Sequence, residues 1–239
     1  MLAKTVSIQG GRPYQEDAYT NISINNSIYF SGIFDGHGGG KISEMCSANF
    51  PAILRQRINE IPYDISQAIN NSFNIIDNLA FHMNVPHIGS TVVYTLVTPD
   101  RLWFANAGDS ICIVGYTDNT FQLMSQEHKV EYEKKRIEDN GGFITYFDGV
   151  ARVNGNLNVS RSVGDHYLKQ WVICTPFVRS IPNKNIKYIV LASDGVSDVL
   201  SPSKINELIT TNIDLKDIVE LSQNLGSMDN ITITLIDGF

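Results

Sequence analysis

Cysteine is sparse in this 239-residue chain: Cys46, Cys112 and Cys174 are odd in number, far apart and never in Cys-x-x-Cys spacing. A disulfide framework and a cysteine zinc site are therefore not indicated, and a reducing, intracellular setting is expected. Positive charge is also short, with 18 Lys and Arg against 25 Asp and Glu and a formal net charge of −7. Nucleic-acid binding draws its affinity from clustered basic residues, so no nucleic-acid partner is expected. No apolar run approaches the ~18 residues of a membrane span, and residues 1–7 hold no stretch long enough for a signal peptide. The expectation is a soluble protein without membrane contact, placed in the cytoplasm with the nucleus left open. Stretches rich in Pro, Gly or Ser are missing too, as are single-sign charge runs, internal repeats and low-complexity segments. Residues 1–239 are accordingly read as one domain, whose 43% hydrophobic content suffices for a substantial core. Nothing signals self-association, and a monomer is expected.

What the sequence does hold is a set of acids spread over nearly its whole length, Asp17, Asp35, Asp194 and Asp229, of which Asp35 and Asp194 stand before glycine at the end of an apolar run. The runs 29–34 before Asp35 and 188–192 before Ser193-Asp194 read as buried strands that deliver a carboxylate at their mouth. Carboxylates gathered without histidine or cysteine suit a hard cation, Mg²⁺ or Mn²⁺. Such cations most often act on phosphate oxygens, which points to metal-assisted phosphoryl chemistry.

Strands are predicted at 5–8, 18–23, 27–34, 90–97, 102–107, 110–115 and 121–124, with a last one at 231–236. Between the two batches lie two helical patterns. Ile42, Met45, Cys46, Phe50, Ile53, Leu54 and Ile58 form the first, which Pro51 should kink or restart. Ile65, Ala68, Ile69, Ser72, Phe73, Ile76 and Leu79 form the second, capped by Asp64 with Gln67 three residues on. A charged helix at 129–140 should end at Gly141-Gly142, and late helices at 204–211 and 215–225 follow Ser201-Pro202 and Asp214. Hairpin-like strands with paired helices argue for an α+β sandwich of antiparallel sheets flanked by helices.

Seven ordered segments carry a resemblance. They are Arg12 to Asp17, Phe34-Asp35-Gly36-His37-Gly38-Gly39, Gly89-Ser90-Thr91, Asn106 to Ser110, Asn158 to Asp165, Ala192 to Gly195 with Asp198, and Asp229 to Thr232. Together they resemble the motifs of the type 2C metal-dependent Ser/Thr protein phosphatases, from about Gly10 to the C-terminus. The stretch from Glu127 to Gly155 is more similar to the eukaryotic branch than to the bacterial one.

The resemblance implies a four-layer αββα sandwich with a flap-like segment at about 142–165. It implies hydrolysis of phosphoserine and phosphothreonine in phosphorylated protein substrates by a water held between two Mn²⁺ or Mg²⁺ ions, with no phosphoenzyme. Asp35 would bridge the ions, with Asp194 and Asp229 completing one shell and Glu16, Asp17 and the Gly36 carbonyl serving the other. Arg12 would clamp the substrate phosphate through its planar fork. His37 would be the general acid for the departing oxygen. Asp109 and Asp198 match positions that hold a third, weaker metal in some members.

For Asp165, His82, His87, His128 and His166 structural roles are preferred, and the cysteines are read as buried small apolar residues. Ile111, Ser197 and Val130 depart from the family's usual arginine, tryptophan and proline, which bears on local packing and substrate preference. A cysteine-dependent phosphatase is disfavoured, since Cys174 and Arg179 stand one residue too close for its signature, and the His-bearing zinc–iron motifs have no counterpart. The alternative is a pseudophosphatase, the same fold kept as a binding module; the metal carboxylates it would have lost are all present.

Overall fold

A computed structural model describes residues 2–239. In chain order the strands of the first half are β1 (Leu2–Ile8), β2 (Ala18–Ser23), β3 (Tyr29–Phe34), β4 (Gly36–His37), β5 (Gly89–Ser90), β6 (Val92–Val97), β7 (Arg101–Ala107), β8 (Ile111–Tyr116) and β9 (Phe121–Leu123). Helices α1 (Lys41–Glu60) and α2 (Ile65–His82) separate β4 from β5. The second half holds α3 (Lys134–Asp139), β10 (Ile144–Phe147), β11 (Val150–Val153), β12 (Val163–Gly164), β13 (Phe177–Pro182), β14 (Ile186–Ala192), α4 (Asp194–Ser197), α5 (Pro202–Thr210), α6 (Leu215–Asn224) and β15 (Ile231–Asp237).

Among the described residues two five-stranded antiparallel sheets form the centre, ordered β1-β15-β14-β8-β9 and β13-β7-β6-β3-β2. Residue alternation explains why their strands read as continuous apolar runs. In β14, Ile189 and Leu191 face the other sheet, whereas Tyr188, Val190 and Ala192 face α5 and α6. In β3 and β6, Ile33, Val93 and Val97 point between the sheets, while Phe30, Phe34, Tyr94 and Leu96 point at α1 and α2. Three apolar layers therefore separate four structural ones, the αββα sandwich expected, because each sheet is buried on both faces. The Phe30, Phe34, Phe50, Phe73 and Tyr94 rings pack under α1 and α2 at centroid separations of 5.0–5.9 Å.

A polar seam also crosses between the sheets. Asn21 Nδ2 donates to Thr5 Oγ1 at 2.8 Å, Thr5 meets Thr234 at 2.8 Å, and Ser31 Oγ donates to Asn21 Oδ1 at 2.6 Å.

Several expectations need correction. Helix α1 runs unbroken through Pro51 rather than restarting. Proline has no N–H for the Ser47 carbonyl one turn earlier, and Thr20 Oγ1 of β2 donates to that oxygen instead, at 2.7 Å. Leu79 is 39% exposed, so it lies outside the buried stripe of α2. The segment 129–140 is a 3₁₀ turn at Val130–Glu133 followed by the short α3, closed by Gly141 at φ +78°. The strand predicted at 90–97 breaks at Thr91, whose N–H leaves the ladder to donate to the Asp35 carbonyl at 2.8 Å. Strand β13 and the β10–β11 hairpin escaped the pattern; the hairpin turns at Asp148 and Gly149, both at positive φ as a tight two-residue turn needs.

The segment 142–165 packs with its flanks into a separate small core, in which Val153 and Val159 meet Val130 and Ile137 before it and Leu168 and Val172 after it, all fully or nearly buried. Beneath it Glu133 accepts from Arg136 Nη2 at 2.8 Å, from Ser160 Oγ at 2.8 Å and from both Nε and Nη2 of Arg161. Val130 and Ile111, two of the departures from the family pattern, are core residues here.

Candidate catalytic site

The acids come from the ends of separate elements and meet at one edge of the sandwich. Asp35 follows β3, Asp194 opens α4 just after β14, Asp229 precedes β15, and Asp17 precedes β2. Asp17 is buried, accepting from Thr232 Oγ1 at 2.6 Å and Ser193 Oγ at 3.1 Å through Oδ2, while Oδ1 has no partner. Asp109 Oδ1 is likewise buried and unpartnered.

The electrostatics follow from this crowding. Burial, then the negative fields of Asp194, Asp17, Asp109 and Asp229, push the Asp35 carboxyl well above its ordinary range. Burial with Asp109, Asp229 and Asp198 does the same to Asp194. Burial chiefly raises Asp17 to about 6 despite its hydroxyl partners, and burial with Asp198 raises Asp109 to about 6.

Arg12 sits in the loop after β1 and gives Nη2 to Asp229 Oδ2 at 2.5 Å, with its side chain 53% exposed. Burial disfavours its charge, but Asp229, Asp194 and Asp35 outweigh that and hold the guanidinium proton more tightly. A cavity of about 220 Å³ is lined by Arg12, Asp194, Asp198, Met228 and Asp229 among others. A second, of about 260 Å³, lies beneath β11, between Val150 and the acids Asp109 and Asp198. Asp198 is 63% exposed, and Lys129 Nζ stands 3.9 Å from its Oδ1.

His37 ends β4 and is 26% exposed; its Nε2 lies 2.7 Å from Asp165 Oδ2. Burial opposes the imidazolium, yet the attraction of Asp165 raises the His37 pKa overall. Asp165 also accepts from Ser162 Oγ at 2.5 Å, so bracing its loop, the role expected of it, is only part of what it does.

Gly36 proves necessary for an unforeseen reason. A Cβ there would fall 2.4 Å from the Glu16 carbonyl oxygen and 2.7 Å from Ser43 Oγ, so the chain crossing beneath leaves no room for a side chain.

Sequence reasoning missed the residues that hold these groups in place. Asn230 Oδ1 accepts from the Glu16 N–H at 2.8 Å while Nδ2 donates to the carbonyls of Gln9 and Tyr14, fastening the loop that bears Arg12 and Glu16. Asn230 is buried and lies beside Asp229 in a quoted motif, and that adjacency is the one signal the sequence offers. His128 is fully buried and structural as expected, held by Gly108 and pushed down to about 4 mainly by burial. Cys46 and Cys112 are buried, but Cys174 is only partly so.

Among the described residues no three His, Cys, Asp or Glu side chains form a ready-made metal cage. The donor set nonetheless fits a hard divalent cation. It is all oxygen, crowded with like charge, and includes two buried carboxylate oxygens with nothing to bind. Among the described residues no helix is long and apolar enough to cross a membrane.

Comparison with known proteins gives concordant results. Residues 7–231 match the family model described as Protein phosphatase 2C. A rice protein (Oryza sativa subsp. japonica) named "Probable protein phosphatase 2C 45" is 34% identical over 243 residues, covering 96% of this chain and 85% of its own length. The fission yeast (Schizosaccharomyces pombe) "Protein phosphatase 2C homolog 3" is 33% identical over 248 residues, covering 94% of this chain and 58% of its own. The solved structure of a serine-threonine phosphatase 2C from Toxoplasma gondii superimposes with a TM-score of 0.83 at 23% identity, covering 98% of this chain and 94% of that one, a likeness of fold.

Proposed function

The chain belongs to the protein phosphatase 2C family and is a phosphoprotein phosphatase, and from this premise we propose that it hydrolyses phosphoserine and phosphothreonine with the help of two bound Mn²⁺ or Mg²⁺ ions. One observation carries the reading: acids from five distant stretches converge, so that the negative fields of Asp194, Asp17, Asp109 and Asp229 all reach the buried Asp35 and, after burial itself, raise its proton affinity. A protein keeps such repulsion where function requires it.

In this reading Asp35, Asp194 and Asp229 would hold one ion, and Asp35, Glu16, Asp17 and the Gly36 carbonyl would hold the other. Bound there, such ions polarise phosphate oxygens and make a water acidic enough to attack at neutral pH. Asp109 and Asp198, across the second cavity, are the place for a third. Arg12 spends one N–H on Asp229 and lines the cleft with the rest of its fork, which suits it to bind and orient a phosphate. His37 holds a proton at the cleft edge for the departing serine or threonine oxygen. The substrate is a phosphorylated protein, the protein acts as a monomer, and its setting is cytoplasmic. No observation favours a binding module without turnover.

The test is turnover of p-nitrophenyl phosphate and of a phosphothreonine peptide, each with Mn²⁺ or with EDTA. Metal-dependent hydrolysis of the peptide is expected. Activity on neither substrate, with metal shown to be bound, would replace the enzyme with the binding module.

A further inference from the structure

The three-stranded ribbon β12-β5-β4 brings His37 and Asp165 together across Gly89. His37 pairs with Gly89 on one side of β5, and Gly164 pairs with Gly89 on the other, so Asp165 emerges opposite the imidazole. Gly89 has to be glycine for this: a Cβ there would lie 2.0 Å from Asp165 Oδ2 and 2.5 Å from His37 Nε2.

Everything around Asp165 fixes it. Its backbone is left-handed at φ +50°, an uncommon state for a residue with a side chain. Its N–H donates to the Ile88 carbonyl at 3.1 Å and its carbonyl accepts from Leu168 at 2.8 Å. The preceding Gly164 N–H donates to Asp77 Oδ1 of α2 at 2.9 Å, and Lys169 Nζ donates to the Gly164 carbonyl at 2.9 Å and pairs with Asp77 at 2.6 Å. The side chain is 1% exposed, and its partners are His37 and Ser162, with Oδ1 left unpartnered. A buried carboxylate serving only its own loop would not reach across a strand to a half-open imidazole.

We propose that Asp165 is the positioning residue for His37: it binds Nε2, fixes the plane of the ring, and leaves Nδ1 as the nitrogen that serves the departing oxygen. This rests on the general-acid reading of His37. When the scissile P–O bond breaks, the proton passes from Nδ1 to the serine or threonine oxygen; Asp165 keeps its hydrogen bond to Nε2 and accepts no proton itself.

Asp165→Asn is the direct test, because asparagine tolerates the left-handed backbone and preserves the shape. On a phosphothreonine peptide with Mn²⁺, kcat should fall about 10- to 100-fold with KM within about twofold. On p-nitrophenyl phosphate, whose leaving group departs without a proton, the fall should be less than about threefold. Gly89→Ala, which drives the pair apart while keeping both residues, should show the same split. Combining Asp165→Asn with His37→Gln should be no slower than His37→Gln alone. In metal-free protein, ¹⁵N imidazole spectra assigned with His37→Gln should show Nε2 as the hydrogen-bonded nitrogen of His37, and Asp165→Asn should abolish that signature.

Equal losses on both substrates in Asp165→Asn while His37→Gln still discriminates between them, or an additive double variant, would overturn the positioning role and leave the general acid standing. A His37→Gln variant that does not discriminate would remove the general-acid reading and this one with it.

Discussion

Glu133 and the acids of the cleft are carboxylates of opposite character. Glu133, beneath the segment 142–165, accepts from two arginines and a serine, and although burial alone would raise its pKa these partners bring it down to about 2. Asp35 and Asp194 are raised well above the ordinary range by burial and by one another. Among the described residues no ion pair reaches Asp17, Asp35, Asp109 or Asp194, and Arg12 pairs with Asp229. Compensated charge at Glu133 holds a module together, whereas uncompensated charge in the cleft weakens the fold and suits a cation. The same residue class thus does structural work in one place and chemistry in the other.

That contrast can be put at risk by experiment. Asp35→Ala should lower turnover of a phosphothreonine peptide by at least ~10³-fold, yet leave the melting temperature of metal-free protein unchanged or higher, since a repelling charge is gone. Retention of more than about a tenth of the activity would detach Asp35 from the chemistry. Glu133→Ala should do the reverse, destabilising the protein by about 3 kcal/mol in urea titration because Arg136 and Arg161 lose their shared partner. Arg12→Ala should raise KM for the phosphopeptide by about tenfold and lower kcat by less, as expected when phosphate binding is lost; an unchanged KM would reassign it.

The pH dependence of the melting temperature in EDTA should show the two kinds of acid pulling against each other. Glu133 has a folded pKa below its unfolded one, so its contribution is complete above about 4.5 and is lost as pH falls toward about 2. Asp17 and Asp109 have folded values raised to about 6, so stability falls as pH rises from about 4 through about 6. In Glu133→Gln the acid limb should flatten and the neutral one persist. The smallest effect belongs to Tyr94, whose hydroxyl is buried without a partner. Tyr94→Phe should alter stability by less than about 1 kcal/mol, toward greater stability, in the same titration.

Much of this was legible in the sequence because the informative residues lie where strands stop. The apolar runs before Asp35 and Asp194 are strands β3 and β14, and the caps at Asp64, Ser201 and Asp214 are made by their own side chains. What could not be read depends on partners remote in sequence. Strand β13 is half-buried almost throughout, with no alternation or strong apolar signature, and the two-residue strands β4, β5 and β12 exist only through one another. Asp165 looked like a loop brace because its second partner, His37, lies 128 residues away.

Helix α1 starts four residues after His37, and its attachment to β2 reaches further than helix continuity. Ser43 in its first turn donates to the Glu16 carbonyl. One turn on, the carbonyl released by Pro51 receives the Thr20 hydroxyl. Two rivets, one on each side of Asp17, thus set the height of the helix along the strand, so that a proline in mid-helix helps to register the Glu16-Asp17 corner against the loop that ends in His37.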